Sequence, residues 1–139
     1  MTRFRQGYSC SQVVFSVLAE RHGVETDLAL RIAAGLGGGI ARSGQTCGCV
    51  TGAILALGLE QQSVCVERNK SEKEKTYDVC RMFMRGFAER HGSTRCRELL
   101  GCDIGTEEGM AEARRLNLFQ LKCAEFIRYA VESATSLSA

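Results

Sequence analysis

Cysteine is the residue type in this chain with the greatest capacity for chemistry: there are eight among 139 residues. Three of them fall where a polar residue starts a predicted helix. Cys10 follows Ser9, Cys47 follows Thr46, and Cys96 comes two residues after Thr94. Exposed amide donors and the positive end of the helix dipole favour a thiolate at such positions. A thiolate is the nucleophile of disulfide exchange and also a ligand for zinc or iron. Cys123 lies on the apolar face of the last predicted helix and could point inward at a site assembled from the other three. Cys49 makes a Cys-x-Cys pair with Cys47. Cys65 and Cys80 read as small core hydrophobes, and Cys102, just past Gly101, is open to either reading.

Two chemistries follow. Four thiolates from separate helices, Cys10, Cys47, Cys96 and Cys123, match the ligand count of an iron–sulfur centre. In metal-free exchange, Cys10 or Cys47 attacks and a neighbouring thiol resolves. The chain has no Cys-x-x-Cys, so zinc-ribbon, ferredoxin and local dithiol spacings are missing, and without Cys-x-x-Cys-His covalent c-type haem is excluded. A zinc-binding structural site, or a helical interaction module with unreactive packed cysteines, is the alternative. Gly39-x-x-x-x-Gly44-Gln45-Thr46 has phosphate-loop spacing, but glutamine replaces the lysine and no strand precedes it. His22 and His91 read as helix C-terminal caps, and Glu107 and Glu108 have no visible acid–base partner.

The elements that must carry these residues are helical. Proline is absent, so nothing removes a helix donor. Apolar spacing and caps predict helices from Ser9 to His22, from Thr26 or Asp27 to Ala34 with Leu28, Leu30 and Ile32, and from Cys47 to Leu59. The third is apolar nearly all round and therefore central, with Thr46 as its cap. Its Gly48 and Gly52 are small enough to admit close neighbours and are the candidate cofactor-side glycines. Gly35-Leu36-Gly37-Gly38-Gly39 reads as a flexible loop. After a break at Gln61-Gln62-Ser63, a long helix from Ser71 to Arg90 opens on a Ser71-x-x-Glu74 capping box. It carries a stripe of Tyr77, Cys80, Met84, Phe87 and Ala88, above the solvated charge run Lys70–Lys75. A short helix spans Thr94 to Leu100, and Asp103 to Glu112 is a polar excursion with one or two turns. The last helix, Asn117 to Thr135, buries Leu118, Leu121, Cys123, Phe126, Ile127 and Ala130. Ala-Glu-Arg-His-Gly occurs at 19–23 and again at 88–92; convergent capping accounts for both copies.

The expected architecture is all-α: a single domain over residues 1–139, an irregular bundle of five to seven helices. Its 45% hydrophobic and 24% charged residues suit a globular core. Net charge is +2, with 18 basic and 16 acidic side chains mixed along the chain, and no basic stripe supports nucleic-acid binding. The N-terminal residues form no apolar signal segment, and the longest apolar stretch is about half of a membrane span. These points predict no membrane insertion and a cytoplasmic location, where clustered cysteines are metal ligands or redox groups more often than static disulfides. Apolar surface left by short helices suggests a homodimer.

A family resemblance sharpens this reading. Gly35-Leu36-Gly37-Gly38-Gly39-Ile40 followed by Thr46-Cys47-Gly48-Cys49-Val50-Thr51-Gly52-Ala53 resembles the signature of the C_GCAxxG_C_C family of redox proteins. Gly7-Tyr8-Ser9-Cys10-Ser11-Gln12 resembles that family's first cysteine motif, Cys96-Arg97-Glu98-Leu99-Leu100-Gly101 its third, and Cys123-Ala124-Glu125-Phe126-Ile127 its fourth. The resemblance implies an oxidoreductase or electron-transfer protein built on four cysteines, working with a redox partner whose identity it leaves open. A related cysteine arrangement in split-Soret cytochromes implies an iron–sulfur cofactor. Cys49 departs from the pattern, standing where the family's motif has alanine; it would add a ligand, add a resolving thiol, or fill alanine's space.

Overall fold

The computed structural model describes residues 1–61, 64–67 and 70–138. Among them the chain is all-α, with eight α-helices, one more than the sequence leads one to expect, and no strand. They are α1 (Thr2–Arg5), α2 (Cys10–Ala19), α3 (Thr26–Ile32), α4 (Gly48–Gly58), α5 (Lys70–His91), α6 (Cys96–Leu100), α7 (Glu107–Arg115) and α8 (Ala124–Leu137). No helix among the described residues is long and apolar enough to cross a membrane.

Helix α4 is the central rod, as its composition predicts. Cys49, Val50 and Ala53 are fully enclosed, and α2, α5 and α8 pack around it. The tightest approach is between α2 and α4. A Cβ on Gly52 would lie 2.8 Å from the Ser11 carbonyl oxygen, and one on Gly48 would lie 2.6 Å from the Cys10 sulfur. Residues 48 and 52 are one helical turn apart and present a bare backbone strip to α2.

The caps partly follow the sequence. Ser9 caps α2 through a capping box: its Oγ accepts from the Gln12 N–H, and the Gln12 side chain accepts from the Ser9 N–H at 3.0 Å. Gly23 and Gly101 end their helical turns at φ 73 and φ 76, the left-handed region that glycine enters most readily. Thr46 does not cap α4; Cys47 itself is the N-cap, because Thr46 is drawn into an isolated antiparallel bridge with Arg95. Helix α5 begins at Lys70, so Ser71 sits inside its first turn and the expected cap role is not filled; part of the predicted break, Gln62 and Ser63, lies outside the described residues. The acidic excursion is a true helix, α7, capped by Thr106, whose Oγ1 accepts from the Gly109 N–H at 2.9 Å.

Burial corrects several side chains. Phe83 and Phe87 form the buried face of α5, whereas Tyr77 and Met84 of the predicted stripe are exposed. Leu121 is also exposed, since residues Phe119–Cys123 form a π-helical turn that shifts the helical phase just before α8. His91 packs edge-on against Phe87, Phe126 and Tyr129, with ring centroids at 4.7, 4.8 and 5.1 Å.

If the α2–α4 strip sets the fold, a methyl group on the strip and one farther along α4 should have opposite effects. Gly52→Ala should lose about 1–3 kcal/mol of unfolding free energy by overpacking. Gly58→Ala, where a Cβ meets nothing within 4 Å, should gain several tenths of a kcal/mol or about 1 kcal/mol from helix propensity. Urea titrations of the two variants beside the parent chain measure both signs.

Candidate functional site

Cys10 is the best-held of the eight cysteines. It is the first residue of α2, and every neighbour fixes it: Ser9 caps the helix, the Ser11 hydroxyl donates to the Ala33 carbonyl at 2.9 Å, and the Gln12 amide donates to the Leu30 carbonyl at 3.0 Å. Helix α2 is thereby tied to the C-terminal end of α3, from which the glycine segment departs.

That segment is not the loose loop its composition suggests. Five consecutive residues have positive φ: Gly38 (65), Gly39 (71), Ile40 (69), Ala41 (51) and Arg42 (62). The turn is left-handed and closed by hydrogen bonds, among them Ala41 N–H to Gly35 O at 2.9 Å, Arg42 N–H to Gly37 O at 3.1 Å and Gln45 N–H to Gly39 O at 2.9 Å. The three residues with side chains cost about 1–2 kcal/mol each in this region, and Ile40, β-branched, is the outlier among them. Such strain, held by surrounding structure, accompanies functional sites. Here it lets the chain touch both sides of the site. Gly37 and Gly38 line the cavity beside Cys10, the Gly38 N–H favouring its thiolate, and a Cβ on Gly39 would lie 2.7 Å from that of Cys96.

The second and third cysteine motifs are laced together by backbone. The Cys47 N–H donates to Thr94 O at 2.7 Å, the Cys96 N–H to Gln45 O at 2.6 Å, and the Arg97 N–H to Gly44 O at 3.1 Å. Cys123 arrives from the far side as the last residue of the π-helical turn.

The result is one cavity of about 580 Å³ with Cys10, Cys47, Cys96 and Cys123 all in its lining. Cys49 lies behind it, fully buried. The sulfurs of Cys10, Cys47 and Cys49 lie within 4.8 Å of one another, so the compact trio includes Cys49, while Cys96 and Cys123 occupy the wall. Gly48 and Gly52 do not face the cavity; they face α2, and Gly48 makes room for the Cys10 sulfur. Cys80 packs partly buried against the core, Cys102 borders the smaller cluster around Cys96, and Cys65 is half-buried in the segment 64–67.

Electrostatics sort the thiols. Cys10 is held well below the ordinary thiol range: the adjacent Cys47 and Cys49 thiols favour its thiolate most, and with smaller help from the Gly38 and Ser11 N–H groups they outweigh burial. Cys47 is pushed well up, because it serves Cys10 as a donor and is buried beside its charge, although Cys49 offers it an opposing hydrogen bond. Cys49 is pushed up by burial first and then by its two sulfur neighbours. Burial, followed by the charge of Cys10, raises Cys96 to about 11 and raises Cys123 as well. Cys10 is therefore the thiol of the cavity lining that ionises most readily.

Sequence reasoning found the four lining cysteines but missed the structural role of residues 38–42. A run of glycines signals backbone freedom; that Ile40, Ala41 and Arg42 continue the left-handed path has no local signal. Comparison with known proteins adds an independent view. An uncharacterised protein of Archaeoglobus fulgidus is 29% identical over 134 residues, covering 92% of this chain and 83% of that relative. No solved structure matches the chain. The family model described as "Putative redox-active protein (C_GCAxxG_C_C)" matches residues 8–137, which takes in all four cysteine motifs and the glycine turn between them. The chain belongs to the C_GCAxxG_C_C family.

Proposed function

We propose that the cavity carries out thiol–disulfide exchange, with the Cys10 thiolate attacking a small disulfide and Cys47 resolving the product. The observation that carries this reading is a close pair of sulfurs in one cavity: Cys10 and Cys47 both line it and lie within 4.8 Å of each other, with the buried Cys49 equally near.

The steps balance as follows. The Cys10 sulfur attacks one sulfur of R–S–S–R′, forming a Cys10–S–S–R mixed disulfide and releasing R′–S⁻, which takes a proton. Cys10 then carries no charge. The charge that kept Cys47 protonated is gone, while Cys49 still offers a hydrogen bond that favours the Cys47 thiolate. Cys47 gives up its proton and attacks the Cys10 sulfur, expelling R–S⁻ and closing a Cys10–Cys47 disulfide. Two electrons pass from the protein dithiol to the substrate. Cys49, kept protonated by its burial and its two sulfur neighbours, stays a thiol throughout and acts as a positioning residue.

A second reading has a specific observation in its favour. Thiolates on one tetrahedral metal with Zn–S bonds near 2.3 Å stand about 3.8 Å apart, and the Cys10, Cys47 and Cys49 sulfurs lie within 4.8 Å of one another. The soft donor set fits zinc or iron. Cys10, Cys47 and Cys49 would hold the group, with Cys96 and Cys123 on the cavity wall, and bound iron would supply one-electron transfer.

Three measurements test these readings. With reduced protein and a small aromatic disulfide, Cys47→Ser should accumulate the mixed disulfide on Cys10, Cys10→Ser should react at the rate of a buried thiol, and the parent should end as a Cys10–Cys47 disulfide by peptide mass mapping. A disulfide formed elsewhere overturns the exchange reading. Iodoacetamide labelling of Cys10 should rise with pH through a midpoint below that of free cysteine and then stay flat, because the thiolate is the reacting form. Cys49→Ala should move that midpoint upward and slow labelling at neutral pH by about tenfold, the scale of one hydrogen bond to a charged group. Protein purified without oxygen should contain less than stoichiometric metal. Stoichiometric iron with visible absorbance between about 400 and 600 nm, lost in Cys10→Ser, establishes the metal centre instead.

A further inference from the structure

The cavity is chemically lopsided in a way the sulfur chemistry does not use. Its lining includes two charged side chains, Arg42 and Arg114, and no carboxylate; between them and the cysteines the walls are apolar, with Phe4, Ile104, Met110 and Phe119 among them. Both arginines are exposed while the cysteines are half-buried or buried, so the cations stand at the mouth and the sulfurs at the floor. Most arginines of this chain have an acidic partner: Arg3, Arg31, Arg81, Arg90, Arg95, Arg97, Arg115 and Arg128 are all in ion pairs. Among the described residues Arg5, Arg21, Arg42, Arg85 and Arg114 have none; of these five only Arg42 and Arg114 line the cavity, and they stay unpaired although Asp103 and Glu107 border the adjoining cleft that both also line. Asp103 is engaged by Arg97 at 3.4 Å.

Arg42 is also placed at a conformational expense. Its backbone is the last of the left-handed run, at φ 62, and its Cγ lies over Gly38, 2.7 Å from where a Cβ would stand. The same turn therefore packs Gly39 against Cys96 and brings a guanidinium to the cavity mouth. No arginine is among the groups that stabilise Cys10, so the cations do not serve to hold the thiolate. A guanidinium is a forked donor that matches a carboxylate bidentately.

We propose that Arg42 and Arg114 make this cavity a receptor for a small organic anion with an apolar body, and that the disulfide exchanged at Cys10 carries a carboxylate. The sulfur half of this statement rests on the exchange reading above; the anion site does not.

The test compares two aromatic disulfides on the reduced full-length protein: dithiobis(nitrobenzoate), a dianion, and dithiodipyridine, which is uncharged. Relative to the same pair of rates for free cysteine, the protein should favour the dianion by about tenfold, the scale of electrostatic complementarity between close charge pairs. The double variant Arg42→Gln/Arg114→Gln should lose that preference while keeping its rate with the neutral reagent. Arg85→Gln, an exposed arginine of α5 outside the cavity lining, should keep both. A preference no greater than that of free cysteine, or one that survives the double substitution, overturns the proposal. An NMR titration with nitrobenzoate and nitrobenzamide, neither of which reacts with thiols, separates the two layers. Saturable shifts at Arg42, Arg114 and Gly38 with nitrobenzoate alone support the anion site even where Cys10 fails to exchange. Equal shifts with both, or none, overturn it even where Cys10 is reactive.

Discussion

The Cys10 sulfur and the N-terminus of α4 can share a space only because position 48 has no side chain. A methyl group there would stand 2.6 Å from that sulfur, well inside van der Waals contact. Removing side chains at positions 48 and 52 brings two backbones together, and the chemistry follows from the distance. Cys47 caps α4, Cys49 is one residue into it, and both reach the residue that starts α2. The sulfurs are thus supplied by two helix beginnings meeting at an angle, rather than by neighbours along one strand or loop. This is why no Cys-x-x-Cys is needed: the close dithiol is tertiary, and Cys10 and Cys47 are separated by the whole of α2, α3 and the glycine turn.

A site with five sulfurs in mutual electrostatic reach has to decide where its negative charge rests. The neighbouring thiols decide it first: Cys47 and Cys49 favour the Cys10 thiolate most, and the Gly38 and Ser11 N–H groups add to them. Each remaining thiol is then harder to ionise, Cys96 rising to about 11. This ordering makes the trio directional. In the proposed exchange one sulfur attacks, a second becomes competent only after the first is consumed, and the third stays protonated. Alanine at position 49, the residue the family's motif shows, would leave one fewer donor on Cys10 and a small void beside α2. Cysteine fills nearly the same volume and adds an S–H, so the departure from the motif changes the electrostatics more than the packing.

The fold class, the central place of α4 and the four cavity cysteines were legible because each leaves a local mark: missing proline, an unbroken apolar run, and a polar cap before a cysteine. Burial on α5 was misread because its apolar residues exceed what one face can hold, and the chain buried Phe83 and Phe87 while leaving Tyr77 and Met84 outside. Leu121 was misplaced for a different reason: one π-helical turn advances the phase, and a strict helical period cannot see it. Thr46 resembles a cap in isolation, yet its backbone is claimed by Arg95, about fifty residues away in sequence. The cysteine trio itself mixes the two kinds of information. Cys10 and Cys47 declare themselves, whereas Cys49 joins them only through the helix crossing.

The left-handed run from Gly38 to Arg42 is the least legible part and the most consequential. Three residues with side chains held at positive φ oppose folding by several kcal/mol in total, about 1–2 each, a sizeable share of the stability of a small domain. Hydrogen bonds within the turn offset part of that, as do the contacts of Gly37 against Ser9 and of Gly39 against Cys96. An ordinary right-handed turn would avoid the strain but would aim the peptide N–H groups elsewhere. In this chain the turn faces the first and third cysteine motifs at once, lines the cavity beside Cys10 and ends on Arg42 at the cavity mouth. Glycine at positions 38 and 39 lowers the strain where the backbone must press closest. From Ile40 onward the surrounding contacts, rather than the residue types, hold the path.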